Sequence, residues 1–222
     1  MPTDTDTAPD TDTAPHTRID IAVFDGFDEL DVVGPLEVLR SAALLGAPLT
    51  VRLGSAHGSR IARGLFGLTI ELDGDLGADA DVLLIPGGGY QPPREHGVRA
   101  QIVDGTLGAA ATDALQRGAV VAAVCSGAMV LANAGLLRGR PAITHRSAIG
   151  DLLALGARIR DVRVVDDGDV ITCGGVTAGI DLALHLVARI AGEGIAELTA
   201  RRMEHDRTSA VIGMTAVSTE AS

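Results

Sequence analysis

Three short, largely apolar runs constrain this chain more than any other feature: Arg18–Phe24 (RIDIAVF), Asp81–Ile85 (DVLLI) and Ala119–Val124 (AVVAAV). Each is too short for a buried helix and is bounded by turn residues. Apolar residues at successive positions point to strands covered on both faces, the habit of a parallel sheet. Between and after them the pattern changes. Gly34-Pro35 places a proline in the first turn of a helix running to about Leu45, and a second helix is predicted over Val98–Arg117. Leu49–Leu53 reads as a further strand, with short ones at Leu68–Leu72 and at Ile143–His145 after Pro141. Val162–Val165 and Val170–Thr172 flank Asp167-Gly168, a hairpin signature. Ile180, Ala183, Leu184, Val187 and Ala191 recur at helical spacing, and Asp181, His185 and Arg189 on another face read as a solvated charge stripe. Alternating strands and helices imply an α/β fold whose sheet is covered on both faces. Ligands in such folds bind beyond the carboxyl ends of strands, here after Phe24, Ile85 and Val124.

A chain of 222 residues suits one α/β domain. The predicted division is an acidic, disordered tail over 1–16, a single domain over 17–206 and a flexible tail over 207–222. Residues 1–16 hold Asp4, Asp6, Asp10 and Asp12 without a basic residue, the opposite of a signal peptide. Only Phe24, Phe27, Phe66 and Tyr90 are aromatic, so the core must be aliphatic. All 18 basic residues are arginine, which excludes Schiff-base lysine chemistry and a P-loop lysine. A net charge of −11 with few aromatics disfavours nucleic-acid binding. Cys125 and Cys173 form neither a disulfide framework nor a zinc pattern, which fits a reducing cytoplasm. Gly118–Leu137 is uncharged over a membrane-spanning length, but its glycines, Ser126 and Asn133 divide it into strand, turn and helix. No membrane partner is expected.

Each of the three strand ends carries chemistry. AVVAAV runs into Cys125-Ser126-Gly127, and a helical stretch follows at once. Such a turn aims its first residue out of the sheet and sets it at a helix N-terminus, where a thiolate is favoured; Gly127 allows close backbone approach. Free cysteine more commonly fills core space, yet the strand-end position makes Cys125 a candidate nucleophile. Ile85-Pro86-Gly87-Gly88-Gly89 offers unshielded amides, so Gly88 and Gly89, with the Ser126 amide, are candidate oxyanion donors. After the first strand, most acids of the loop read as solvated. Asp31, enclosed by Leu30, Val32 and Val33, is the exception: a desolvated carboxyl holds its proton and can serve a thiolate. His145 is a candidate third member, with a structural role as the alternative. Cys173 reads as packing, with redox sensitivity as a minor alternative.

Taken together, FDGFDELDVVGPLEVL, LLIPGGG, VCSGAMVLANAGLLRGRPAITH and GGVTAGIDLAL resemble the ThiJ/PfpI superfamily, in order, over about Arg18–Gly192. The resemblance implies a flavodoxin-like three-layer sandwich with a strand–nucleophile-elbow–helix at the cysteine. It also implies Cys125 as nucleophile, Asp31 as the essential acid, Ser126 as the hydroxyl beside the nucleophile, and a homodimer. LDVVGP, Cys-Ser and TAGIDLAL look most like isonitrile hydratases, and they also resemble ligand-sensing domains of AraC-type regulators. PfpI-type peptidases carry histidine where this chain has Ser126. Glutamine amidotransferases carry a histidine with glutamate two residues on, whereas His145, His185 and His205 are followed at that offset by Ser147, Val187 and Arg207. The implied activity is hydration of an isonitrile to a formamide, with no metal or organic cofactor. The alternatives are glyoxalase-like conversion of dicarbonyls, which requires His145 to contact Cys125, and non-enzymatic sensing of a small molecule.

Overall fold

The computed structural model describes residues 16–207 and 211–212. The stretch read as an acidic tail, apart from His16, lies outside the described residues. The chain opens with β1 (Thr17–Ala22), α1 (Glu29–Leu44) and β2 (Leu49–Ser55), followed by a small hairpin of β3 (Ile61–Arg63) and β4 (Thr69–Glu71). Then come β5 (Gly74–Asp75), β6 (Val82–Ile85), α2 (Val98–Asp104), α3 (Thr106–Gln116) and β7 (Val120–Ala123). A 3-10 turn over Cys125–Gly127 leads into α4 (Ala128–Asn133), β8 (Pro141–Ala142), α5 (Ile149–Ala154) and β9 (Arg158–Ile159). The chain continues with β10 (Val164–Asp166), β11 (Val170–Cys173), α6 (Ala178–Ala191), α7 (Glu193–Arg202) and β12 (Val211–Ile212). That last strand falls within the predicted tail and pairs in parallel with β10.

Eight strands form the main sheet in the order β12-β10-β11-β7-β6-β1-β2-β5. The strands from β11 to β5 run parallel; β10 turns back against β11 in the predicted hairpin. β6 and the β7 core of Val121–Ala123 are buried throughout, so these short aliphatic runs are the centre of the sheet. Helices α1, α6 and α7 pack together on one face, and α2, α3 and α4 on the other, giving three layers. The first connection moves from β1 outward to β2, whereas the chain later returns to place β6 on the other side of β1. Loops leaving β1 and β6 therefore diverge and open a crevice at their carboxyl ends.

Four local expectations need correction. Helix α1 begins at Glu29, so Pro35 lies inside it rather than in its first turn; the proline withholds the N–H that the Asp31 carbonyl would otherwise accept. The single helix predicted over Val98–Arg117 is two, because Gly105 (φ 82°) is left-handed, closing α2 and opening α3. Ile143–His145 is not a strand: the Ile143 N–H goes to Thr172 Oγ1 at 3.0 Å, and only Pro141–Ala142 pairs, with β9. The fourth correction concerns the α6 charge stripe, in which Asp181 is buried and His185 half-buried, and only Arg189 is exposed. Asp181 is 5% exposed and accepts from Arg163 Nε at 2.6 Å and His205 Nε2 at 3.1 Å. His185 Nε2 pairs with Asp166 Oδ2 at 2.7 Å, and Arg189 Nη1 donates to the same carboxylate at 3.1 Å and to the Gly168 carbonyl at 2.8 Å. Among the described residues no helix is long and apolar enough to cross a membrane, and 118–137 is strand, turn and helix as expected.

Candidate active site

The sheet brings the three strand ends together. β7 reaches Val124 in extended geometry (φ −101°, ψ 137°) and then reverses at Cys125, whose φ is 57°. A left-handed L-residue costs roughly 1–2 kcal/mol, and such strain persists where the surroundings over-determine it. Here the Cys125 N–H donates to the Gly174 carbonyl at 3.1 Å, and the Thr144 hydroxyl donates to the Cys125 carbonyl at 2.8 Å. Gly127 is needed for the turn to close, since a Cβ there would lie 2.3 Å from the Ile85 carbonyl oxygen. Cys125 as a whole is left 6% exposed at the rim of the sheet.

Asp31 enters from the first turns of α1 and is fully buried. Its Oδ2 accepts from the Gly87 N–H at 2.9 Å; its Oδ1 is buried and, among the described residues, has no partner of ordinary geometry. Burial, and after it the charge of Asp28, push this carboxyl up to about 8, and hydrogen bonds from the Gly87 amide and the Cys125 thiol offset only part of that rise. Gly87 is the hinge between the groups: a Cβ there would stand 2.7 Å from Ser126 Oγ and 2.8 Å from Asp31 Oδ2. Ser126 is buried, and its Oγ accepts from the Gly88 N–H at 3.0 Å. That amide, expected to face an oxyanion, is committed to the serine, while Gly89 packs against the His96–Gly97 backbone.

Electrostatically, the thiol departs from expectation. Burial first, and then the Asp31 charge, drive Cys125 well above its ordinary value, and the backbone amides of Val176 and Ser126 offset only part of it. The six-residue α4 does not make a resting thiolate. Cys125 and Asp31 are a coupled, buried pair in which the last proton is tightly held, so sulfur becomes nucleophilic when Asp31 takes its proton.

His145 is half-buried at the edge of this group. Its Nδ1 accepts from the Ser147 N–H at 3.2 Å and lies 2.8 Å from Ser147 Oγ, and its ring edge presses on Gly175, where a Cβ would be 2.4 Å from Cδ2. The proton is thereby assigned to Nε2. Among the described residues it makes no hydrogen bond to Cys125. Sequence reasoning missed three contributors. Asp28, read as solvated, is half-buried, and its raised carboxyl acts on Asp31 and feels His145. Val176, with φ 45°, turns its amide to the Cys125 sulfur. Thr144 holds the elbow's carbonyl. Gly174-Gly175 marks a turn here, but nothing at Val176 itself signals its role, since a β-branched residue rarely adopts positive φ.

One open pocket of the described residues lies away from this group. A cavity of about 530 Å³, lined by Asp25, Arg63, Leu65, Arg94 and His96 among others, contains none of Cys125, Asp31 and Ser126. Among the described residues no group of three or more metal-ligating side chains comes together.

A family model described as the DJ-1/PfpI family matches residues 17–189. The chain belongs to the DJ-1/PfpI family. Its relatives in that family include the isonitrile hydratase of Pseudomonas putida, 40% identical over 126 residues, which are 56% of this chain and 52% of that enzyme. The match thus spans about half the enzyme's length. An uncharacterized protein of the cpoL 5' region of Streptomyces lividans is 41% identical over 130 residues, 58% of this chain and 86% of that protein. The crystal structure of a ThiJ/PfpI family protein from Pseudomonas syringae superposes with a TM-score of 0.74 at 30% identity, covering 94% of this chain and 83% of that one. The flavodoxin-like α/β architecture of the DJ-1/PfpI family is therefore the fold of this chain.

Proposed function

We propose that this DJ-1/PfpI protein hydrates isonitriles to N-substituted formamides, with Cys125 as nucleophile and Asp31 as acid and base. One observation carries the proposal: a fully buried carboxyl, raised to about 8, is paired with a thiol on a strained strand-to-helix turn. An isonitrile carbon must gain a bond to sulfur and a proton on the same atom. Asp31 takes the thiol proton as sulfur attacks and delivers a proton to that carbon, giving a thioimidate. It then takes a proton from water, whose oxygen adds to the carbon; the nitrogen is protonated, the carbon–sulfur bond breaks and the thiol is restored. The two stages add one water in total, and the protein's own groups carry every proton. Ser126 positions the Gly88 end of the glycine loop beside the reacting carbon. The 40% identity to isonitrile hydratase supports the reading.

The test is turnover of cyclohexyl isocyanide by wild type and Cys125→Ala. Formamide from the wild type alone is the expected result. No formamide from folded wild type would overturn the assignment. Tight binding of an unreactive ligand, with a thiol inert to mild electrophiles, would then move the reading to sensing. Glyoxalase-like chemistry is less favoured, since His145 Nδ1 is engaged by Ser147 and its ring rests on Gly175. Full glyoxal turnover by His145→Ala would exclude the version that needs this histidine.

A further inference from the structure

Cys173 has no part in the hydration chemistry, yet it is built into the floor of the site. It ends β11 with 0% exposure. β11 runs parallel to β7 with Thr172 beside Ala123, and the pairing continues into the elbow, where the Cys125 N–H donates to the Gly174 carbonyl at 3.1 Å. The register sets Cys173 beside Val124, and Cys125 follows one residue later in the turn. Strand alternation alone would send the two side chains to opposite faces. The left-handed reversal at Cys125 (φ 57°) turns its sulfur back toward the layer in which the Cys173 thiol feels both Cys125 and Asp31. Strands about 4.8 Å apart with that stagger hold Cα atoms roughly 6 Å apart, within the reach of a disulfide. Cys173 also faces the layer that holds Asp31: burial and then the charge of Asp31 act on its thiol, the Cys125 backbone donates to it, and Asp181 of α6 is felt from the same side. Helices α1 and α6 pack together over this face.

We propose that Cys125 and Cys173 form a peroxide-reactive dithiol in which a hydroperoxide oxidises Cys125 and Cys173 closes it into an intramolecular disulfide. Exposure sets the order of events, because an oxidant meets Cys125, 6% exposed, before Cys173, which is sealed. With its proton passed to Asp31, the Cys125 sulfur attacks the terminal peroxide oxygen. The O–O bond breaks, the sulfur is oxidised by two electrons to sulfenic acid, and the hydroperoxide leaves as alcohol or water. The Cys173 sulfur then attacks the sulfenic sulfur, the S–O bond breaks, and the oxygen leaves as water with the Cys173 proton. The sum is two thiols plus hydroperoxide giving disulfide, alcohol or water, and a second water. A nearby second thiol diverts the sulfenic acid from irreversible oxidation to sulfinic acid. The inference rests on a reactive Cys125 and not on its isonitrile substrate.

The experiment treats the full chain with hydrogen peroxide and then removes the peroxide. The chain is unfolded in guanidinium chloride with N-ethylmaleimide present, so that both buried thiols can be labelled, and intact mass and non-reducing tryptic peptides are read. Expected for the wild type are loss of two hydrogens, no maleimide uptake, and a bridged pair of peptides ending at Arg138 and Arg189. Both labels should return after dithiothreitol. Cys173→Ala and Cys173→Ser should instead accumulate sulfinic acid at Cys125. Equal sulfinic acid formation in wild type and variants, an interchain disulfide, or no thiol oxidation would overturn the proposal. Isonitrile turnover by reduced Cys173→Ala is measured separately, so failure of hydration and failure of disulfide formation are told apart.

Discussion

Asp31 is in the wrong place for stability and the right one for proton transfer. Its folded carboxyl titrates near 8 against an ordinary 3.8, so between those values the native state binds more protons than the unfolded chain. Stability attributable to this residue therefore falls as pH rises through that window. Asp31→Asn keeps an acceptor for the Gly87 amide while removing the charge. We expect turnover to drop roughly 100-fold or more, and Tm to exceed that of wild type by a margin that widens as pH is raised toward 8. A pH series of calorimetric scans checks it. Because Asp31 in its carboxylate form must take the thiol proton, kcat/KM should climb as pH passes through about 8 and level off above it. Gly87→Ala should push back the Ser126 backbone as well as its hydroxyl and the Asp31 carboxyl, so we expect a lower Tm together with a lower kcat, read by calorimetry and by turnover of the folded fraction. The identity of Asp31 was legible; the reason for its burial was not. Leu30 and Val33 are only partly buried, and on a helix immediate neighbours face different ways. What encloses the carboxyl comes from other strand ends, the Gly87 loop after β6 and the Cys125 elbow after β7.

Among the elements, β1, β2, β4, β6, β7, β10 and β11 were legible to within one or two residues because each is a short, largely apolar run near turn residues. The two- and three-residue strands β3, β5, β8, β9 and β12 carry no such run and were missed. Helix boundaries were less so. The helical pattern continues through Gly105, and periodicity does not register that one residue turns left-handed. We expect Gly105→Ala to cost about 1 kcal/mol, a conformational cost alone, since nothing lies within 4 Å of the added methyl. Urea midpoints at constant m value would measure it. Pro35 misled in the opposite direction. A proline is a sound marker of a helix start, but here the helix begins six residues earlier, at Glu29, after the Asp28 N–H is tied to the Gly87 carbonyl at 2.9 Å. That long-range bond to the neighbouring strand end decides where α1 starts. Ile143–His145 likewise has strand composition, but its first amide is claimed by the Thr172 side chain.

For the molecule as a whole, the Asp181 cluster ties α6 to the loop before β10 through Arg163 and to the end of the domain through His205. Removing the carboxylate leaves the Arg163 guanidinium, a third exposed, with the Thr177 hydroxyl and water, so we expect Asp181→Ala to lose roughly 1–2 kcal/mol in denaturant unfolding. His185, Arg189 and Asp166 form the companion cluster. We also propose, from the family resemblance, that the chain is a homodimer, which light scattering would check as twice the chain mass. Local composition determined a good deal without help: a parallel sheet of aliphatic strands, the loops at three strand ends, and a cysteine at one of them, because periodicity, turn residues and side-chain chemistry are properties of contiguous residues. The tertiary structure alone decided which loops meet, that Gly88 serves Ser126, that Asp28 stands beside Asp31, that Val176 lends its amide to sulfur, and that Cys173 lies next to Cys125. Apart from Asp28 and Asp31, which share the start of α1, those relations depend on strand order and on one-residue registers, the residue pairs among them standing 38 to 51 positions apart in the chain, and no local pattern encodes them. Burial likewise, rather than residue type, raised both titrating groups, because desolvation is a property of the packed molecule.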